Sequence, residues 1–347
     1  MLYKHFLKPI LFQFDAEKAH ETAFSIGNRM CTSDVALTFM KDWFSVADAS
    51  LEVHAAGLRF PNPVGLAAGF DKNALLLPLL EHIGFGFVEI GSITAKPSSG
   101  NPRPRMFRLP KDDALINRMG LNNDGADVIT KRLAQRKSTI PIGVNIAKTP
   151  KSGLSGAQAV QDYVTSYTLA IPVADYITIN ISCPNTGDGK SFEDPDSFSE
   201  LISALRNTPE STSKPLFIKF SSDTPPVTLK MLIQISEEYH VDGYVAVNTS
   251  TKRDGLKTSS KLLYEMGNGG LSGKPVASNA LEKLDALRQL IGGQKPIISV
   301  GGIMTPDDAF KRLEAGATLI QLYTGLVYNG PSFPGKINRH LIEQLKS

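Results

Sequence analysis

The residues best suited to chemistry sit in short glycine- and amide-rich segments: GLAAGFDK, EIGSIT, GVNIAK, INISCPNT, IKFSSD, VNTS, SVGGI and LYTG. Asn117, Asn145, Asn180, Asn185 and Asn248 supply paired donors and acceptors, the groups that read a flat ring bearing amides. Any one of them could merely close a turn, but five gathered at one face point to recognition. Gly301-Gly302 and Thr324-Gly325 are small enough for backbone N–H groups to approach an anion. With Ala68-Gly69 and Gly273 they describe a pocket for a long phosphorylated cofactor. Lys72 and Lys219 could form a Schiff base, pair with a phosphate or electron-rich ring, or be solvated strand ends. Cys183 could act as base or nucleophile, or fill space as a small core residue. No GxGxxG follows a strand, which argues against a Rossmann dinucleotide site.

These segments need a scaffold that brings them together. Eight β-branched runs, 64–68, 87–92, 141–146, 176–181, 216–220, 243–248, 296–300 and 319–323, alternate with helical patterns at 73–83, 123–136, 156–170, 196–206, 226–239, 279–290, 306–315 and 335–346. Parallel strands need crossover helices, and eight such units predict a closed (β/α)8 barrel of the TIM type; a doubly wound open sheet is the competing architecture. Two long gaps, after the second and sixth runs, hold insertions at the carboxyl ends of strands, the end that carries the active site in such barrels.

Ahead of the barrel the first 14 residues, MLYKHFLKPILFQF, hold nine apolar side chains and two lysines at helical spacing. Lys8 and Pro9 break the run and no small-residue cleavage site follows, so the segment is read as retained, with Pro9 starting a helix or separating two short ones. A second helix is expected over 15–30, and 32–50 is expected to be a linker. Residues 1–45 thus form a small N-terminal helical extension and linker, and 46–347 the barrel. No stretch of about 18 uncharged apolar residues exists, so no transmembrane helix is expected.

Composition narrows the function. The 347 residues are 41% hydrophobic, and 37 basic against 34 acidic side chains leave a net charge of only +3. That balance offers no nucleic-acid-binding tail. Two cysteines, Cys31 and Cys183, exclude a disulfide scaffold and a CxxC zinc site, and no metal is expected.

Taken together, FPNPVGLAAGFDK, GNPRPRMFRL, INRMG, INISCPNT, GGLSGKP, SVGGI and LIQLYTG resemble, in order and spacing, the dihydroorotate dehydrogenases, the FMN enzymes of pyrimidine synthesis, over essentially the whole chain. The N-terminal unit with FDAEKAH is similar to that of the quinone-dependent class 2 enzymes. The resemblance implies one noncovalent FMN held by Ala68, Gly69, Phe70, Asp71, Lys72, Ser92, Asn145, Asn180, Lys219, Val247, Gly273, Gly302, Tyr323 and Thr324. It implies substrate contacts from Lys72, Asn117, Arg118, Met119, Gly120, Leu121, Asn180, Asn185, Asn248 and Thr249, with Cys183 as the catalytic base. His20, Arg108 and Tyr323 match positions near the quinone. Expected partners are dihydroorotate and orotate, a membrane quinone as co-substrate and the membrane surface, with the protein peripheral on the cytoplasmic face of a bacterial cell membrane.

The chain departs from the class 2 pattern in three places. Cys183 stands where class 2 has serine and class 1 has cysteine, Leu121 replaces a phenylalanine, and GDGKSFED follows CPNT where a GLR-like segment is common. The expected reaction is oxidation of dihydroorotate to orotate with electrons passing through FMN to quinone. The rivals are a class 1-like enzyme with a soluble acceptor such as fumarate or NAD, a Schiff-base aldolase or isomerase acting on a phosphorylated substrate through Lys219, and a flavin-binding scaffold without turnover.

Overall fold

The structure, a computed structural model, describes residues 3–182 and 192–346. Thirteen strands are present among them: β1 (Val53–Ala55), β2 (Leu58–Phe60), β3 (Val64–Leu66), β4 (Phe87–Ile93), β5 (Met106–Leu109), β6 (Ala114–Asn117), β7 (Ile142–Ile146), β8 (Tyr176–Asn180), β9 (Leu216–Phe220), β10 (Gly243–Ala246), β11 (Gly270–Gly273), β12 (Ile297–Val300) and β13 (Leu319–Leu322). Eight of these, β3, β4, β7, β8, β9, β10, β12 and β13, pair in parallel in that order and close on themselves. They coincide with the eight runs expected from the sequence. An open sheet is excluded by the pairing of β13 with β3.

Strand side chains alternate in direction, so residues two apart along a barrel strand face the interior in successive layers. At the bottom, small faces large across each ladder. Gly65 pairs with Phe87, Gly143 with Tyr176 and Gly243 with Phe217. A Cβ at any of the three would stand 2.1–2.3 Å from the facing ring, so glycine makes the room those rings fill. The β1–β2 hairpin adds Phe60 to this cluster and closes the barrel from below. The next layer up is polar, with Glu89, Asn145, Thr178, Lys219 and Gln321, all buried. Above it the barrel opens at the carboxyl ends of its strands.

Helices follow the strands at Leu77–His82, Ala126–Leu133, Gly156–Ala170, Pro195–Arg206, Pro226–Glu238, Ala277–Ile291, Pro306–Glu314 and Phe333–Leu345. The two insertions contribute an unforeseen element. β5 and β6 from the first pair with β11 from the second in a three-stranded antiparallel sheet beside the barrel mouth.

Before the barrel, a π-helical turn at Tyr3–Leu7 runs into α1 (Lys8–Leu11), with Pro9 in its first turn. Helix α2 (Ala16–Met30) is capped by Asp15, whose carboxylate accepts from the N–H groups of Glu17 and Lys18, both at 3.0 Å. The expected linker over 32–50 is corrected by α3 (Asp34–Phe44), capped by Ser33. Leu37 and Met40 are its buried side while Val35, Phe39 and Trp43 are exposed, so apolar residues occupy more than one face and leave no single stripe to read. Phe6, Leu7, Ile10 and Phe14 are likewise exposed.

Candidate active site at the barrel mouth

A cavity of about 1110 Å³, counting its open mouth, occupies the carboxyl end of the barrel. Its wall combines the two residue sets expected from the sequence. Ala68, Gly69, Lys72, Ser92, Asn180, Lys219, Val247, Gly273, Gly302, Tyr323 and Thr324 line it from the set assigned to the cofactor. Lys72, Asn117, Met119, Gly120, Leu121, Asn180, Asn248 and Thr249 line it from the set assigned to the substrate.

The amides are tied to one another. Asn248 Nδ2 donates to Asn180 Oδ1 at 3.2 Å, and Asn180 Nδ2 donates to Ser92 Oγ at 3.3 Å. The Ser92 hydroxyl in turn donates to Asn145 Oδ1, and Asn145 Nδ2 donates to Glu89 Oε1 at 2.8 Å. The wall is therefore anchored in the polar layer beneath it. At the far side, Gly302 has φ +77°, and a Cβ there would lie 2.4 Å from the Ala277 backbone, so only glycine fits this turn. Behind it the buried Arg312 donates to the carbonyls of Gly301 (2.8 Å) and Ala277 (2.7 Å) and fixes the loop. Burial pushes the Arg312 guanidinium down to about 10. Thr324 Oγ1 donates to Ser272 Oγ at 2.9 Å, closing the same corner.

Lys72 lies in the loop after β3. Burial, reinforced by the nearby Arg105 cation, lowers its ammonium to about 8. Lys219 is also lowered by burial, and the Glu89 carboxylate, 3.8 Å away, pulls it back up. The carboxylate favours the charged form of the lysine against the pull of burial. Tyr323 is pushed up to about 12 by burial.

Three expected ligands stand behind the wall. The Asp71 carboxylate is buried and accepts from the N–H groups of Leu75 (3.0 Å) and Leu76 (2.7 Å), so it shapes the loop that presents Lys72. Asn145 holds Ser92. Phe70 turns toward α2, meeting the His20 ring edge-on at 5.1 Å and the Tyr323 ring at 5.7 Å. Arg118, also expected among the substrate ligands, donates to the carbonyls of Met266 and Pro104 and braces the antiparallel sheet. Cys183 and Asn185 lie outside the described residues.

Of the three residues assigned to the quinone side, His20 and Tyr323 share contact with Phe70. Burial, with a contribution from Lys72, lowers His20 to about 3 and leaves its imidazole neutral. Arg108 is elsewhere on that side. It donates to the carbonyls of Phe14 (2.9 Å) and Asp15 (3.1 Å), and its guanidinium lies 4.7 Å from the centre of the Phe12 ring. Among the described residues no helix is long and apolar enough to cross a membrane.

The sequence reading missed Glu89, Gln321 and Arg312. A signal existed for the first two: an acid within FVEIGSI and an amide within LIQLY interrupt otherwise apolar strands at inward positions. Arg312 gave none, because an arginine in a charged surface-type helix is ordinary until the fold buries it.

Comparison with known proteins places these features in context. The family model for dihydroorotate dehydrogenase matches residues 50–345. A protein of Chloroflexus aurantiacus described as "Dihydroorotate dehydrogenase (quinone)" is 41% identical, with 100% of this chain and 98% of that one covered. One of Haloarcula marismortui with the same description is 41% identical, covering 97% and 93%. Among solved structures, the crystal structure of the Eimeria tenella enzyme in complex with ferulenol superposes with a TM-score of 0.83 at 32% identity, covering 96% of this chain and 92% of that one.

Proposed function

This chain belongs to the dihydroorotate dehydrogenase family and has the activity of its quinone-dependent members, and from that premise we propose how its residues divide the work. It is an oxidoreductase of pyrimidine biosynthesis that oxidises dihydroorotate to orotate and delivers the electrons to quinone. The flavin that this activity implies is FMN. The observation that carries the assignment is the single cavity in which glycine-walled corner, amide wall and two lysines meet.

The cavity fits that group. Gly302 packs directly on Ala277 and a Cβ on Gly273 would press on Thr324, so the corner these residues form is walled by small residues and backbone, as a terminal phosphate requires. Gln321 Oε1 is buried at the cavity without a hydrogen-bond partner, an acceptor suited to a ring N–H. When bound, FMN supplies the hydride acceptor and the electron relay to quinone. Ala68, Gly69, Lys72, Ser92, Asn180, Lys219, Val247 and Tyr323 would hold it from the wall, with Phe70, Asp71 and Asn145 supporting them. The Lys219 ammonium offsets negative charge that accumulates at the cavity floor on reduction.

Dihydroorotate, a planar-ended amide ring with a carboxylate, is oriented by Lys72, by the Asn117–Leu121 loop and by Asn180, Asn185, Asn248 and Thr249. Cys183 Sγ takes the proton from the ring carbon next to the carbonyl, since a thiol titrates nearer neutrality than a hydroxyl. Residues 1–45 form the quinone side of the protein. There Phe6, Leu7, Ile10 and Phe14, flanked by Lys4 and Lys8, rest on the cytoplasmic face of the cell membrane without crossing it.

The test is anaerobic. The purified protein is yellow, its released cofactor has the mass of FMN, and dihydroorotate bleaches it. Ubiquinone or menaquinone then restores the colour faster than fumarate or NAD. Recovery of FAD would refute the cofactor assignment, and reoxidation by fumarate or NAD alone would favour the class 1-like reading suggested by Cys183. Deleting residues 1–30 abolishes quinone turnover and vesicle binding while leaving the bleaching step measurable.

A further inference from the structure

Glu89 is the least expected residue of the barrel. It is fully buried in mid-strand, between the aromatic bottom layer and the cavity floor. Its Oε1 accepts from Asn145 Nδ2 at 2.8 Å and lies 3.8 Å from Lys219 Nζ. Its Oε2 accepts from Gln321 Nε2 at 2.8 Å, Thr178 Oγ1 at 3.2 Å and the Tyr176 hydroxyl at 3.3 Å. Burial and the carboxylate itself push the Tyr176 phenol well up, so that hydroxyl remains a donor. Four donors and one ammonium thus converge on a group that, as a carboxylate, only accepts.

The geometry does more than satisfy a buried charge. Two of the five partners, Lys219 and Gln321, also line the cavity. Because the Gln321 amide donates through its nitrogen to Glu89, its oxygen is left facing away from that bond and unpaired. A third partner, Asn145, holds Ser92, and Ser92 lines the cavity as well. One carboxylate therefore reaches three elements of the site.

Resting on the reading of the cavity as a flavin site, we propose that Glu89 is a positioning residue that holds the Lys219 ammonium and the Gln321 amide at the cavity floor and thereby sets the potential at which the bound flavin is reduced. Among the described residues Glu89 is the charge that acts on Lys219, which comes from β9 opposite it. The neighbouring strands set the neutral Asn180 of β8 and the apolar Val245 of β10 beside Lys219. Burial otherwise favours loss of the Lys219 proton, so its charge depends on the carboxylate.

The experiment is a spectroscopic redox titration of the flavin-loaded protein from about pH 6 to about pH 10, with flavin content recorded for each variant. The plot of flavin potential against pH bends where Lys219 loses its proton. In Glu89→Gln that bend moves down by about one pH unit or more, and in Glu89→Asp, which retracts the carboxylate by one methylene, it moves down by less. Lys219→Met erases it. Thr178→Val removes a hydrogen bond from the same carboxylate without removing its charge and leaves the bend where it was, which a purely structural role for the hub does not distinguish from Glu89→Gln. A bend unmoved in Glu89→Gln, or one that survives in Lys219→Met, overturns the proposal. If Glu89→Gln does not fold, an unmoved bend in Glu89→Asp overturns it equally. A parent protein that binds no flavin removes the underlying reading and the proposal together. A yellow parent bleached by dihydroorotate, with the same bend in parent and Glu89→Gln, removes the proposal alone.

Discussion

Arg105 donates through Nε to Glu17 Oε1 at 3.0 Å, and its NH2 group lies 2.9 Å from the same oxygen, with both side chains buried. Through NH1 the same guanidinium donates to the carbonyls of Ser99 (2.6 Å) and Asn101 (2.9 Å). Asn101 in turn donates to the carbonyls of Met119 (3.0 Å) and Arg118 (2.8 Å). A residue of α2 and the 117–121 loop that lines the cavity are thus joined through one cation.

Breaking that pair by removing one partner leaves a buried charge alone and costs about 3–5 kcal/mol. Glu17→Ala is expected to lower the thermal midpoint and to raise the KM for dihydroorotate and for quinone together. Steady-state kinetics with each substrate varied checks it. An effect confined to quinone would show that the guanidinium does not transmit to the loop.

Orotate binding reports on Lys72. The ammonium is lowered to about 8, so above that pH the cavity loses a positive charge that an anionic ligand needs. Affinity for orotate is expected to fall about tenfold per pH unit once pH exceeds the lysine pKa. Lys72→Met binds more weakly and shows a flat profile. Perturbation of the flavin spectrum by orotate gives the affinities.

His20 sets an acid limit on stability. Its folded value of about 3 lies below the ordinary 6.5, so below 6.5 the unfolded chain takes up a proton that the folded chain refuses. The contribution is fully present above 6.5 and is lost as pH falls toward 3, to a total of the order of 5 kcal/mol. His20→Gln is expected to flatten the acid side of the curve of thermal midpoint against pH. An unchanged acid limb would mean that other groups govern acid unfolding.

Cys183 is best tested in a Cys31→Ser background. Cys31 is half-buried and burial pushes its thiol up, so it is expected to react with alkylating reagents more slowly than an exposed thiol, and the substitution removes that background. In that background Cys183→Ala is expected to keep FMN and lose reduction by dihydroorotate. Cys183→Ser keeps partial activity with its pH dependence displaced upward, and substrate protects the parent thiol from alkylation. Near-parental flavin reduction in Cys183→Ala would assign the proton to another group.

The barrel was legible because each strand is a short β-branched run bounded by helix-starting residues, a local signal that the parallel ladder preserves. The antiparallel sheet was not, because β6 finds β11 only through tertiary pairing, and neither GLSG nor ALIN reads as a strand alone. Helix α3 was hidden for the reason that Val35, Phe39 and Trp43 spread apolar character around it. Motif resemblance located the cavity wall well, yet it did not separate residues that touch the cavity, such as Ser92, from those that hold them, such as Asn145 and Asp71. That distinction depends on which way each side chain points. Glu89 could have been found by asking which inward strand positions carry a charge.

The sheet of β5, β6 and β11 also has a consequence in time. Its bond from Asn117 Nδ2 to the Gly270 carbonyl joins residues 153 apart in sequence, and β7 to β10 lie between them. Closure of so long a loop is unfavourable until the intervening strands have assembled. This sheet beside the barrel mouth is therefore expected to form late during folding. By the same reasoning it should be among the first regions to exchange its amide hydrogens, ahead of the barrel that carries it.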